Sequence, residues 1–178
     1  SARGTFFILG WVAKRYPMLV RRIAEAGHEV ASHGMEHDRV STLGPVRFAA
    51  DISEARTLLQ ELSGKVVSGY RAPSFSLSPE MDWAYAALIE AGYRYSSSVY
   101  PVSHDHYGYP DAPRRAYRPL ANSDFVELPL STARVAGRKV AASGGGYFRF
   151  FPYTVSRALL RRASTGRRQA GLCYIHPW

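Results

Sequence analysis

Between Trp11 and Ala26 apolar residues recur at helical intervals, with Arg21, Arg22 and Glu25 on the other side and Gly27 placed to end the helix. That spacing predicts a helix. His28 to Ser32 has the length of a strand, and Pro45 to Leu62 returns to a helical period that stops at Ser63-Gly64. Val66 to Tyr70 reads as a strand, Pro79 to Ala91 as a helix with Pro in its first turn and Gly92 behind it, and Tyr93 to Ser96 as a short strand. Strands alternating with helices of these lengths imply parallel strands joined by crossover helices, hence an α/β sheet or barrel.

Beyond Ser98 the period is lost. Residues up to Asn122 are rich in Pro, Tyr, His and Asp, the composition of a long loop region, and long ordered loops often carry binding functions. Phe125 to Leu130 then reads as a strand, Ser143 to Gly146 as a flexible turn, Pro152 to Arg162 as a helix and Gly171 to His176 as a final strand. One domain over residues 1–178 is the expectation, with no internal repeat and no low-complexity linker.

Charge adds a question about partners. The net charge is +9, and 20 of the 23 basic residues are Arg, which binds phosphate and carboxylate through a two-pronged contact. The densest run, Arg157, Arg161, Arg162, Arg167 and Arg168, surrounds Leu159 and Leu160 at helical spacing, as a solvated helix face does. No nucleic-acid partner is expected, while an anionic glycan suits the charge equally well. No stretch approaches the roughly 18 apolar residues of a membrane span, and the first residues lack the charged-then-apolar order of a signal peptide. The single cysteine, Cys173, excludes an internal disulfide and reads as a buried core thiol in the run Leu172 to Ile175.

Three short motifs carry candidate chemistry. In Ser32-His33-Gly34-Met35-Glu36-His37 two imidazoles stand four apart where a strand gives way to a turn, so both can face one metal ion; two turn histidines without a ligand fit the spacing equally well. The zinc-protease order His-Glu-x-x-His is absent. In Gly69-Tyr70-Arg71-Ala72-Pro73-Ser74-Phe75 an arginine leaves a strand end ahead of a turn-fixing proline, suited to orient a carboxylate or bind substrate, or simply to face solvent. Ile175-His176-Pro177-Trp178 places a histidine beside a large aromatic, suited to a general acid next to an acyl pocket, or to a half-buried structural histidine.

In this order the motifs resemble the polysaccharide deacetylase (NodB-homology) family of carbohydrate esterase family four. Gly4 to Gly10 looks like its second strand, Gly27 to His33 leads into its metal motif, Tyr70 to Pro73 resembles its arginine motif and Ile175 to Trp178 its closing histidine motif. Residues Pro101 to Arg114 and Gly144 to Arg149 look most like the exosortase-associated exopolysaccharide branch.

The resemblance implies a distorted, incomplete (β/α) barrel, lacking its first strand, with the site at the C-terminal ends of the strands. It implies a divalent metal, zinc first among the candidates, on His33 and His37. Arg71 would position a carboxylate base, His176 would protonate the departing amine, and Trp178, Pro73, Tyr100 and Tyr147 would contact substrate. The expected activity is hydrolysis of N-acetyl groups on amino sugars of an N-acetylated polysaccharide or oligosaccharide, in the bacterial cytoplasm or cell envelope.

Two departures qualify that expectation. The family's first motif, a Thr-Phe-Asp-Asp run supplying the base and the third metal ligand, does not occur in this chain, so a domain cut short at the N-terminus, and at Trp178 too, is expected to be impaired alone. Ser96 stands where the family motif usually has an aspartate, which should weaken the tuning of His176. Asp38, Asp105 and Asp111 are poor substitutes as ligands. The alternatives are a catalytically inactive carbohydrate-binding relative, holding sugar on Tyr107, Tyr109, Tyr147 and Phe148, and an O-acetyl esterase or amide hydrolase on the same scaffold.

Overall fold

The computed structural model describes residues 2–78, 81–104, 108–164 and 171–176. Five short strands, β1 (Thr5–Ile8), β2 (Glu29–Ser32), β3 (Gly69–Tyr70), β4 (Tyr95–Ser96) and β5 (Val126–Glu127), form one parallel sheet in chain order. Each strand pairs only with its sequence neighbours, so among the described residues the barrel is partial and β1 does not close onto β5. This is the α/β alternation that the hydrophobic pattern predicts.

The expected helix from Trp11 to Ala26 is two helices, α1 (Gly10–Arg15) and α2 (Pro17–Glu25), broken at Tyr16, whose φ of -132° and ψ of 61° are not helical. The cause is Pro17, which disfavours helical geometry in the residue before it and is suited to the first turn of the next helix. Helix α3 (Val40–Ser63) starts ahead of Pro45, but Gly44, at φ 66° and ψ 174°, separates its first turn from the rest. It ends as expected on left-handed Gly64, whose N–H donates to the Gln60 carbonyl. Helix α4 (Asp82–Glu90) matches the next helical period, and the first two residues of the expected helix, Pro79 and Glu80, lie outside the described residues.

The main core lies between the sheet and these helices. Phe48, Ile52, Ala55 and Leu59 repeat along one face of α3 and are all fully buried, against Val67, Tyr70, Leu88 and Tyr93. Burying each large side chain contributes about 1.5–3 kcal/mol. Phe48 packs edge-on to Tyr70 and Trp83, at 5.8 and 5.6 Å between ring centres, and the Tyr93 hydroxyl donates to the Ile52 carbonyl at 2.8 Å.

The later part of the chain departs further from expectation. A hairpin of β6 (Thr132–Val135) and β7 (Arg138–Ala141) forms where no strand pair is expected. Its two-residue turn is Ala136 and Gly137, both at positive φ, so an alanine sits where turn signals usually show Asn or Asp. The glycine run opens a short helix, α5 (Gly145–Phe150), and α6 (Tyr153–Ser164) follows as expected. Residues 171–176 are not a strand of either sheet. Cys173 is consequently exposed, not a core thiol, because no sheet alternation turns it inward.

Candidate functional site

His33, Arg71 and Ser97 directly follow the C-terminal ends of neighbouring parallel strands β2, β3 and β4. Residues at the ends of adjacent parallel strands project into one shared crevice, which is how a local motif becomes a site.

The His33 backbone N–H donates to the Ile8 carbonyl at 2.9 Å, and its ring Nδ1 lies 2.7 Å from the Arg71 carbonyl oxygen. A carbonyl can only accept, so Nδ1 carries the proton and Nε2 keeps its lone pair outward, the form a metal ligand needs. Burial holds the imidazole neutral, taking its pKa down to about 4; the Arg71 carbonyl opposes that, and the charges of His37, Arg71 and His176 add to it. The His37 ring stands 5.1 Å away at 71°, on a backbone with φ of 65°.

The loop between the histidines is held from two sides. The Gly10 and Trp11 N–H groups donate to the Gly34 and Met35 carbonyls, and the Met35 N–H donates to both carboxylate oxygens of Asp51 on α3, at 3.1 and 3.2 Å. Gly34 has a φ of +81°, and a Cβ there would lie 2.8 Å from the Asp51 carboxylate, so glycine is required twice over. These residues fit two imidazole ligands of a zinc ion. Among the described residues no third His, Cys, Asp or Glu joins them. Asp38 instead faces Arg47 at 4.0 Å, and Asp105 lies outside the described residues.

Arg71 is 8% exposed. Its Nε donates to the Ser97 carbonyl at 2.9 Å and its Nη2 to the Ser97 hydroxyl at 2.8 Å, while the guanidinium lies 4.1 Å from the centre of the Phe7 ring and 5.8 Å from those of Phe75 and Tyr174. Burial lowers its pKa to about 10, opposed by Glu127, Tyr95 and Tyr174, and it stays charged at neutral pH. Behind it Glu127 is fully buried, and its Oε1 accepts the N–H groups of Ser98 and Val99 at 2.8 and 3.0 Å. Ser96, the position expected to hold an aspartate, is the register partner of Glu127.

Pro73 is buried at the start of a single 3-10 turn, Pro73–Phe75, in which Ser74 and Phe75 both take positive φ. Two such residues together cost about 1–3 kcal/mol each. The turn presents the Phe75 ring to Tyr100 and Tyr174, at 5.6 and 5.2 Å between ring centres. Tyr100 is fully buried with its hydroxyl donating to the Ser143 carbonyl at 2.5 Å, which places it behind the site surface. Tyr147 is half-buried, stacks on Phe151 and lines a cavity of about 450 Å3 with Val102, Val140 and Leu159.

His176 is exposed, beside Tyr174 at 5.6 Å between ring centres. Its pKa is lowered by partial burial and then by the charges of Arg71, His37 and Arg149, which ties the closing histidine electrostatically to the other two motifs. Trp178 and Pro177 lie outside the described residues. Phe7, Ser97, Glu127 and Tyr174 are not among the site residues that the motifs predict; of the four, Glu127 stands out in the sequence, as a lone acid inside the apolar run Phe125 to Leu130.

The sequence profile described as polysaccharide deacetylase matches residues 1–96, and one described as a domain of unknown function, DUF3473, matches residues 97–178. A peptidoglycan-N-acetylglucosamine deacetylase of Bacillus cereus is 28% identical over 85 residues, 47% of this chain and 31% of that protein. A chitooligosaccharide deacetylase of Sinorhizobium fredii is 39% identical over 56 residues, 32% of this chain and 26% of that protein. The chain thus spans under a third of the length of these curated relatives. A crystal structure of a Mycobacterium smegmatis protein assigned to the polysaccharide deacetylases superposes with a TM-score of 0.58 at 30% identity, covering 72% of this chain and 41% of that one. With more than half of its residues matched by the family's profile and its partial α/β barrel matched by that structure, the chain belongs to the polysaccharide deacetylase family.

Proposed function

We propose that the chain supplies the metal and leaving-group side of a zinc-dependent site that hydrolyses N-acetyl groups from amino sugars of a bacterial exopolysaccharide. The observation that carries this is the His33 tautomer, fixed by the Arg71 carbonyl so that Nε2 is presented beside His37. His33 and His37 would hold the ion, which when bound polarises an acetamide carbonyl and acidifies a water. Arg71, immobilised on Ser97 and between aromatic rings, places a fixed positive charge at the strand ends, where it orients a carboxylate or the acyl oxygen. His176 would give a proton to the departing amine; partial burial and the neighbouring positive charges lower its pKa, so the neutral imidazole has to take up that proton before passing it on. The names of the relatives, deacetylases of peptidoglycan N-acetylglucosamine and of chitooligosaccharide, are what point to an N-acetylated sugar polymer. The exopolysaccharide assignment rests on the residues 101–114 and 144–149 alone.

A catalytically inactive carbohydrate-binding relative is the second reading, favoured by one observation: among the described residues no carboxylate stands with His33 and His37. Zinc content of the purified chain, compared with a His33→Ala/His37→Ala variant, and binding of N-acetylglucosamine oligomers with and without zinc separate the two. Stoichiometric zinc lost in the variant, with oligomer binding that needs that zinc, supports the enzyme's site. Oligomer binding that is the same with and without zinc supports the binder, and neither metal nor sugar binding sinks both.

A further inference from the structure

The net charge of +9 is unevenly placed along the chain. Residues 1–127 carry fourteen basic and fourteen acidic side chains, whereas residues 128–178 carry nine basic and no acidic ones. The described part of that segment is one structural unit: α6 packs across β6, and α5 packs against α6. Arg134, Arg138, Arg149, Arg157 and Arg161 are all exposed on it; Arg157 and Arg161, four apart on α6, share a face, while Arg134 and Arg138, paired with Lys139 and Val135, face opposite sides of the hairpin. Interleaved with them are Phe150, 87% exposed, and Tyr153, 75% exposed.

This unit adjoins the strand-end site. A Cβ at Gly145, the first residue of α5, would lie 3.6 Å from the His176 backbone, and the Arg149 charge bears on the His176 ring. We infer that the β6–β7 hairpin with α5 and α6 is a binding surface for an anionic glycan chain, one carrying carboxylate groups along its length. The polymer class rests on the deacetylase reading; the sign of its charge rests on the surface itself.

The physical case is complementarity. Guanidinium groups pair with carboxylates in a planar two-pronged contact, and a field of one sign raises the local concentration of a polymer of the opposite sign. Exposed aromatic rings offer flat apolar faces to sugar rings while arginines hold the charged substituents. A chain lying across α5 and α6 is continuous with His176, so a long polymer can occupy the surface and the site together. Duplex DNA or an acidic membrane would meet the same charge, but neither presents an acetamide to the adjoining histidines.

The test measures binding of the full chain to a fluorescent oligogalacturonate and to a neutral N-acetylglucosamine oligomer of the same length. The acidic oligomer is expected to bind at least about tenfold more tightly, with the difference falling as salt is raised from about 50 to 200 mM. Arg157→Glu/Arg161→Glu weakens acidic binding about tenfold and leaves the neutral oligomer unchanged. Arg134→Glu carries the test if the helix variant does not fold, and Arg21→Glu/Arg22→Glu, on the exposed side of α2 outside the surface, is expected to have little effect.

Equal affinity for acidic and neutral oligomers overturns the inference. So does an equal loss in the α2 variant, or tighter binding of a DNA duplex or phosphatidylglycerol vesicles than of oligogalacturonate. Selective acidic binding with no zinc held by His33 and His37 keeps the surface and rejects the deacetylase reading. Zinc-dependent binding of the neutral oligomer with no acidic preference does the reverse.

Discussion

Ser96 and Glu127 stand opposite each other in register on the parallel strands β4 and β5, both fully buried, at the strand ends that carry Arg71 and Ser97. Burial pushes the Glu127 carboxyl up to about 6, against hydrogen bonds from Ser96, Ser98 and Val99 and the charge of Arg71. The folded protein therefore holds this proton more tightly than the unfolded chain. The stability this contributes is complete below pH 4.5, the ordinary value, and is lost as pH rises through about 6. Relative to Glu127→Gln, the native protein should lose about 2 kcal/mol between those limits. Urea unfolding of both proteins at pH 4.5 and 7.5 checks this, and a difference independent of pH would falsify it.

Arg71→Lys removes the two-pronged hold on Ser97 and the flat stacking on Phe7 while keeping the charge. The expected cost is about 2 kcal/mol of stability, because the Ser97 hydroxyl and carbonyl lose a charged partner in a buried place. Thermal unfolding should fall by about 4–8 °C. An unchanged melting temperature would mean that the lysine reaches the same groups.

Asp51→Ala should loosen the loop that sets the spacing of His33 and His37, because the Met35 N–H loses both of its acceptor oxygens. Supports of this kind are worth about 10–100-fold in metal affinity. Competition titration with a zinc chelator reads that loss. Zinc affinity that matches the parent protein would show that the Gly10 and Trp11 hydrogen bonds hold the loop unaided.

Phe48→Ala opens a cavity where α3 meets Tyr70 and Trp83. A loss of about 3–5 kcal/mol in chemical denaturation is expected. Exposed Val46, two residues earlier on the same helix, should lose less than about 0.5 kcal/mol on the same substitution. Similar losses at both positions would mean that helix propensity, not burial, sets the stability of α3.

Local pattern carried the fold class. The spacing of apolar residues in α3 and the stop at Gly64 depend on neighbours a few residues away, so they are legible in the chain itself. The same holds for the histidine pair: turn geometry between His33 and His37 is written in Gly34 and its flanks. Where the local signal is weak the reading fails, as at the hairpin turn Ala136-Gly137, whose alanine hides a turn of positive φ, and at Cys173, which only sheet pairing would have turned inward.

The surroundings of Arg71 were decided by the tertiary structure. Phe7, Ser97, Glu127 and Tyr174 come from four distant parts of the sequence, and no periodicity links them. They meet because parallel strands laid side by side bring their C-terminal ends to one edge, and the burial created there gives the carboxylate and the guanidinium their shifted affinities for protons. The sequence by itself determined the alternation of strands and helices through the first half of the chain and which histidines share a loop. The order of the strands, and with it the buried charge network behind the site, follows only when the chain packs, because those contacts join residues that have no local reason to be near each other.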